Sequence, residues 1–204
     1  MLMRNIKFIL FTFCLAFSLT THAASILDSL FHQSSDPVAG NPKGKLTIVE
    51  FFDYQCAHCI NMASIIQTII KQNPDVRIVF KEYPIRGPMS ELASRAALAA
   101  NMQGKYYTLH HALLTTDKDI NEKNILVIAK ANGLDAAKLK KDMNSKTVKD
   151  MIQVNLALAK ELGIAGTPAF FIGKTNAQKT EDVNFVLGEM TQAEVKEALK
   201  KSGS

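Results

Sequence analysis

Cys56 and Cys59 are separated by two residues, Ala57 and His58, where a short apolar run gives way to a helical pattern. That spacing brings both sulfurs within disulfide reach on one helical turn and sets Cys56 at the helix start. A thiolate, not a thiol, attacks a disulfide. At a helix N-terminus Cys56 faces unpaired amide hydrogens and the positive end of the helix dipole, and His58 adds positive charge or a hydrogen bond close by. Both favour the charged form and lower the Cys56 pKa. Cys59, one turn further in, is expected to be more buried and to keep a higher pKa. The reading is an exposed nucleophile at Cys56 and a resolving thiol at Cys59. A depressed Cys56 pKa stabilises the reduced protein above that pKa, and the contribution is lost as pH falls through it. A stabilised reduced form makes the disulfide oxidising.

Metal chemistry is the competing use of a C-x-x-C pair. A structural zinc site needs two further ligands. Outside any leader the chain offers His32, His110 and His111 beyond His58, and no second cysteine pair. His110 and His111 are adjacent within a helical pattern and point to different faces. A c-type haem needs histidine directly after the second cysteine, and Ile60 stands there. No metal and no separate cofactor is expected; the redox group is the Cys56–Cys59 disulfide itself.

The pair needs a strand before it and a helix after it. Leu46–Phe52 is apolar, β-branched and aromatic, as suits a strand buried on both faces. From Ala57 to Ile70 apolar residues recur at helical period. Val76–Tyr83 reads as a second strand, and the βαβ unit so formed requires a right-handed crossover and a parallel pair. Ser34–Lys45, with two prolines and two glycines, reads as an irregular approach. From Met89 to Leu162 the pattern is helical throughout, with Gly133 and Gly163 at C-terminal cap positions. Ala169–Ile172 and Val183–Leu187 read as an antiparallel hairpin, and Thr191–Glu194 as a capping box opening a last helix to about Lys200. The fold class is α/β, a βαβ half and a ββα half with an all-helical insertion. Its divisions fall at 24–88, 89–162 and 163–204.

Glu50 lies inside the first strand. It is either an edge-facing solvated acid or, with Val49, Phe51 and Phe52 around it, a buried carboxylate of raised pKa that moves protons for Cys59. Lys81 on the neighbouring strand is its candidate partner, or an ordinary surface lysine. Pro168 either starts a strand or forms a cis peptide with Thr167. Met62 and Met89 belong either to the core, the favoured reading, or to an apolar surface near the site that binds unfolded clients; Tyr106 and Tyr107 are read as packing residues.

Residues 1–23 read as a secretory leader: Arg4 and Lys7 form a positive region, Phe8–Leu19 an apolar region too short for a membrane span, and cleavage falls after Ala23 or Ala24. Cys14 lies inside the apolar region and lacks a lipidation context. Losing the leader leaves two cysteines and a net charge of about +3 in place of +5. An exported chain whose only cysteines sit together uses them for chemistry, because a bridge across two residues constrains the unfolded chain little. The 204 residues, 47% apolar and 21% charged, fit one domain with an insertion, and no basic run points to nucleic acid. Ser25–Gln33 is a short amphipathic piece, either loosely held or a dimer contact; a monomer is the expectation.

VEFFDYQCAHC, VFKEYPI, RAALAANMQGKYYTLHHALL and GIAGTPAFFI together resemble the DsbA-like branch of the thioredoxin superfamily, over nearly the whole chain after Asp36. The resemblance implies a thioredoxin-like fold and a periplasmic thiol:disulfide oxidoreductase. It implies Cys56 as nucleophile, Cys59 as resolving cysteine, His58 as thiolate stabiliser and Glu50 as buried acid. It further implies Pro168 as a cis-proline facing the site, with Thr167 giving backbone contacts to clients. The implied partners are exported cysteine-containing clients and a membrane redox protein that reoxidises the pair. Ala57 departs from the pattern, where the best-known members carry proline, and Thr167 is also common in reductases and isomerases. An isomerase or reductase on the same fold is one alternative; a client-binding chaperone module with incidental cysteines is the other.

Overall fold

The computed structural model describes residues 26–203. The proposed leader, its cleavage site and Cys14 lie outside them. The sheet is built on β2 (Leu46–Phe52), whose Ile48, Val49, Phe51 and Phe52 are all buried. A run with no polar alternation can only be stable covered on both faces. β2 pairs in parallel with β3 (Val76–Glu82), Ile48 opposite Ile78 and Phe52 opposite Glu82. On its other side it pairs antiparallel with β4 (Ala169–Lys174), which carries β5 (Asn184–Leu187) at the edge. β1 (Val38–Gly40) closes the far edge, antiparallel to β3. The order is therefore β1-β3-β2-β4-β5.

Two of these features differ from the sequence reading. Residues 38–40 form a strand rather than an irregular approach, because β3 has a free edge and backbone pairing does not require an apolar pattern. Residues 26–31 are helical (α1), and Leu27, Leu30 and Phe31 are buried against the sheet, so this piece is not loosely held.

Side-chain parity sorts the sheet into two faces. Ile48, Phe52, Ile78 and Phe80 point to the front, where they meet α2 (Ala57–Gln72) and the helical block. In α2 the buried residues are Cys59, Met62, Ala63, Ile66 and Ile69, one stripe at helical period. Val49, Phe51 and Val79 point to the back, against α1. The block comprises α3 (Pro88–Asn101), α4 (Tyr106–Leu114), α5 (Glu122–Ala131), α6 (Ala136–Asp142) and α7 (Lys146–Glu161). Asn121, Asp135 and Ser145 cap α5, α6 and α7 through their side-chain oxygens, and Gly133 and Gly163 close α5 and α7 at φ of 73° and 67°. The block has no core of its own: Ile125 and Leu139 belong to one cluster with Ile48 and Met62. α7 reaches further, since Val148 and Ile152 join the front core while Leu158 and Ala159 join the back.

α8 (Gln192–Gly203) packs Val195 and Leu199 into the front core. Its start is the reciprocal box expected, with the Thr191 amide on Glu194 Oε2 at 2.7 Å and the Glu194 amide on Thr191 Oγ1 at 3.2 Å. No helix among the described residues is long and apolar enough to cross a membrane.

Candidate active site

Strand directions bring four segments to one end of the sheet. β2, β3 and β5 finish there, and β4 begins there. Residues 53–56, 83–87, 165–168 and 188–190 therefore meet around the cysteines.

Asp53 organises two of these segments. Its buried carboxylate accepts the Gln55 amide and the Ser90 hydroxyl on Oδ1, both at 2.7 Å. Oδ2 accepts the amides of Ile85 at 2.9 Å and Arg86 at 3.0 Å. The Asp53 carbonyl takes the Cys56 amide at 3.2 Å. One residue thus ties the cysteine turn to the loop leaving β3.

Cys56 is the N-cap of α2 and has no side-chain cap bond. Both cysteines are free thiols, and Cys56 is as fully buried as Cys59. The expected exposure of Cys56 is not met, because Thr167 arches over it: the Cys56 thiol donates to the Thr167 carbonyl at 3.2 Å, across 111 residues of chain. The Thr167–Pro168 peptide is cis, which decides between the two readings of Pro168. Burial alone would push the Cys56 thiol up. The Cys59 thiol, the nearby Thr167 side chain, the Cys59 backbone amide and the Arg86 guanidinium all favour the thiolate, outweigh burial and hold the thiol below its ordinary value. The Thr167 hydroxyl is buried without a partner, so it is available to a thiolate. Cys59 goes the other way: burial pushes it up, and the Cys56 sulfur and Glu50 add to the shift.

Glu50 is buried on the front face of β2, opposite Phe80 and Phe170, so it is no solvated edge acid. Burial raises its pKa to about 8, with Cys56 and Glu82 adding. Lys81 is neither its partner nor a surface lysine. It is fully buried on the opposite face, bonded to the Asp36 carboxylate and to the Ser29 carbonyl at 2.6 Å. The acid that shares Glu50's face is Glu82. Its Oε1 accepts the hydroxyls of Tyr106 at 2.7 Å and Tyr54 at 3.1 Å, while Oε2 has no partner. Burial raises Glu82 to about 8 against the hydroxyls of Tyr106, Ser94 and Tyr54. Tyr54 also lies 3.1 Å from His110 Nδ1, and burial pushes His110 down to about 3, so its ring is neutral. Tyr106 is thus both a packing residue and a donor to a buried acid.

His58 is largely exposed, and its Nδ1 lies 2.8 Å from Glu189 Oε2, which also accepts from Asn61 at 3.1 Å. These two donors lower the Glu189 pKa. The cation acting on Cys56 is Arg86. His110 and His111 do diverge: His110 faces Tyr54, and His111 Nε2 meets Gln67 at 3.1 Å. Met62 is buried, as read; Met89 is not, since Pro88 and Met89 form the exposed first turn of α3.

Asp53, Glu82, Arg86 and Glu189 escaped the sequence reading. Asp53 was detectable as an acid closing an apolar strand just before the cysteines. Glu82 was masked by its charged neighbour Lys81, and Arg86 and Glu189 carry no local signal.

The family model of the DSBA-like thioredoxin domain matches residues 47–200. A thioredoxin-like oxidoreductase from Silicibacter pomeroyi DSS-3 is 40% identical and superimposes with a TM-score of 0.78 over 86% of this chain and 96% of its own. The thiol-disulfide exchange protein alpha-DsbA2 of Wolbachia pipientis is 25% identical, with a TM-score of 0.76 over 90% of this chain and 97% of its own. The thiol:disulfide interchange protein DsbA of Bordetella pertussis is 29% identical over 145 residues, 67% of this chain and 68% of that protein. The chain also matches sodium/proton antiporters from Salinispora tropica and Salinispora arenicola, but spans only 21% and 24% of their lengths. The chain belongs to the DsbA-like thioredoxin family.

Proposed function

We propose that this protein is a periplasmic disulfide donor, exported by its leader, that passes the Cys56–Cys59 disulfide to cysteine-containing client proteins. The observation that carries the reading is the opposite perturbation of the two thiols, Cys56 lowered and Cys59 raised. A client thiolate attacks Cys56 Sγ; the Cys56–Cys59 bond breaks, and Cys59 leaves with the electron pair. Cys59 then takes a proton, for which the buried Glu50 carboxyl, close enough to act on both sulfurs, is a store. A second client thiolate attacks the client sulfur of the mixed disulfide and expels Cys56 as a thiolate. A low pKa makes Cys56 the better leaving group at this step. Thr167 and Pro168 receive the client backbone, and His58, oriented by Glu189, borders the reacting sulfur. The client is oxidised by two electrons, the protein is reduced by two, and a membrane redox partner restores the disulfide. The redox-active disulfide serves in place of a separate cofactor.

The test is the equilibrium redox potential against a glutathione series, read by thiol trapping with a Cys56→Ala control. A potential well above the glutathione couple is expected. A potential near that of thioredoxin would sink the donor and favour a reductase or isomerase. A pair that forms no reversible disulfide, with client binding intact in Cys56→Ala, would favour a chaperone module.

A further inference from the structure

The two flanks of the cysteine pair carry opposite charge. In the strand order, the loop after β3 lies on one side of the β2–β4 pair and the loop after β5 on the other. Arg86 belongs to the first loop and Glu189 to the second, so they stand on opposite sides of Cys56. Their bonding differs. Glu189 is engaged, accepting from His58 and Asn61. Arg86 is not: its guanidinium is exposed and makes no hydrogen bond or ion pair among the described residues. The other two arginines described both have partners, Arg77 on the Phe31 carbonyl at 2.6 Å and Arg95 on Asn144 and Glu91.

Arg86 is nonetheless held in place through its backbone. Its amide and that of Ile85 donate to Asp53 Oδ2, and the same carboxylate fixes the turn that carries Cys56. The base of the side chain therefore has a set relation to the reacting sulfur, while its charged end is free. Ile85 and Met89 beside it are 43% and 38% exposed, an apolar margin next to a free cation.

We propose that Arg86 selects client segments that carry an acidic side chain close to the reacting cysteine. Its guanidinium takes the client carboxylate, and Ile85 and Met89 cover the adjoining apolar residue. A guanidinium fork suits a carboxylate in two-point contact. This inference rests on the disulfide-donor reading. The redox step is unaltered: the client sulfur bonds to Cys56, the Cys56–Cys59 bond breaks, and Cys59 takes the electron pair and a proton. Arg86 acts on the encounter and on the mixed disulfide.

The test uses the oxidised protein and three synthetic dithiol peptides that differ only beside the first cysteine: glutamate, glutamine or lysine. Each oxidation rate is divided by the same peptide's rate with an uncharged reference disulfide, bis(2-hydroxyethyl) disulfide, which removes the flank's own effect on thiol ionisation without adding a charge of its own. The glutamate peptide is expected to exceed the lysine peptide by about fivefold at low ionic strength, the range of an exposed ion pair, and the ratio to shrink in high salt. Arg86→Gln brings the ratio near one, and Arg86→Lys keeps a preference for glutamate. A general rise in the Cys56 pKa would slow all three peptides alike and leave the ratio alone. A wild-type ratio of one, or a ratio that Arg86→Gln does not change, overturns the inference and leaves the donor reading standing. Transfer to none of the peptides overturns both.

Discussion

Lys81 and Glu82 are neighbours in β3 and both fully buried, yet they belong to different kinds of cluster. On the back face Lys81 meets the Asp36 carboxylate, and Arg77 caps the Phe31 carbonyl at the end of α1. Burial draws Lys81 down and Asp36 up, and each partner's charge pulls against that. On the front face Glu82 and Glu50 have the same sign, and phenols rather than cations surround them. Opposite charges buried together fasten chain to chain; like charges buried together hold protons. The first arrangement straps residues 26–36 to the sheet, on the face away from the cysteines. The second lies beside them, where exchange releases a thiolate that must be protonated.

The comparison breaks most readily at Lys81. Lys81→Ala leaves Asp36 buried and unpaired, and the expected loss is about 3–5 kcal/mol of unfolding free energy in urea. Disulfide exchange per folded molecule stays at the wild-type rate. A loss under about 1 kcal/mol would mean that the pair does not hold the N-terminal strap.

The front cluster answers to pH instead. Glu50 and Glu82 have folded pKa values of about 8, raised above the ordinary 4.5. Their contribution is fully present below pH ~4.5 and is lost as pH rises through about 8, because the native state binds more protons there. Stability should fall by on the order of a few kcal/mol across that window. Glu50→Gln with Glu82→Gln should flatten the curve, whereas Lys81→Ala should lower it without changing this slope. A wild-type curve that is flat over the same window would show that neither acid keeps its proton.

Function separates the two acids. Glu50→Gln should slow peptide oxidation about tenfold near neutral pH, a modest loss for a proton donor, with the pH–rate profile altered as well. An unchanged profile would leave Glu50 a packing residue.

What the sequence disclosed and what it hid follow the range of the interactions. β2, α2, the helical block and the Thr191–Glu194 box were legible because each is fixed by local period or capping. β1 was not, since three residues between turns become a strand only by pairing with β3. Glu50 was legible as a buried acid, but its company was not. Which strand-mate shares its face depends on register, and a one-residue slip between β2 and β3 would have set Lys81 on the Glu50 face. The burial of Cys56 was hidden for the same reason, because its cover comes from Thr167.

The smallest expected effect is the most diagnostic of the front cluster. Tyr106→Phe removes the 2.7 Å donor to Glu82 and little else, since the ring still stacks on His110. A hydrogen bond to the charged form favours that form, so the Tyr106 hydroxyl holds the Glu82 pKa down against burial. Without it the folded pKa rises further, and ionising Glu82 costs more. The loss of stability should therefore be about 1 kcal/mol at pH ~6, where Glu82 is neutral, and larger at pH ~9, where it is charged. Chemical denaturation of wild type and Tyr106→Phe at the two pH values measures the difference. Equal losses at both would mean that Glu82 does not titrate in this range, and the proton-holding face would then reduce to Glu50 alone.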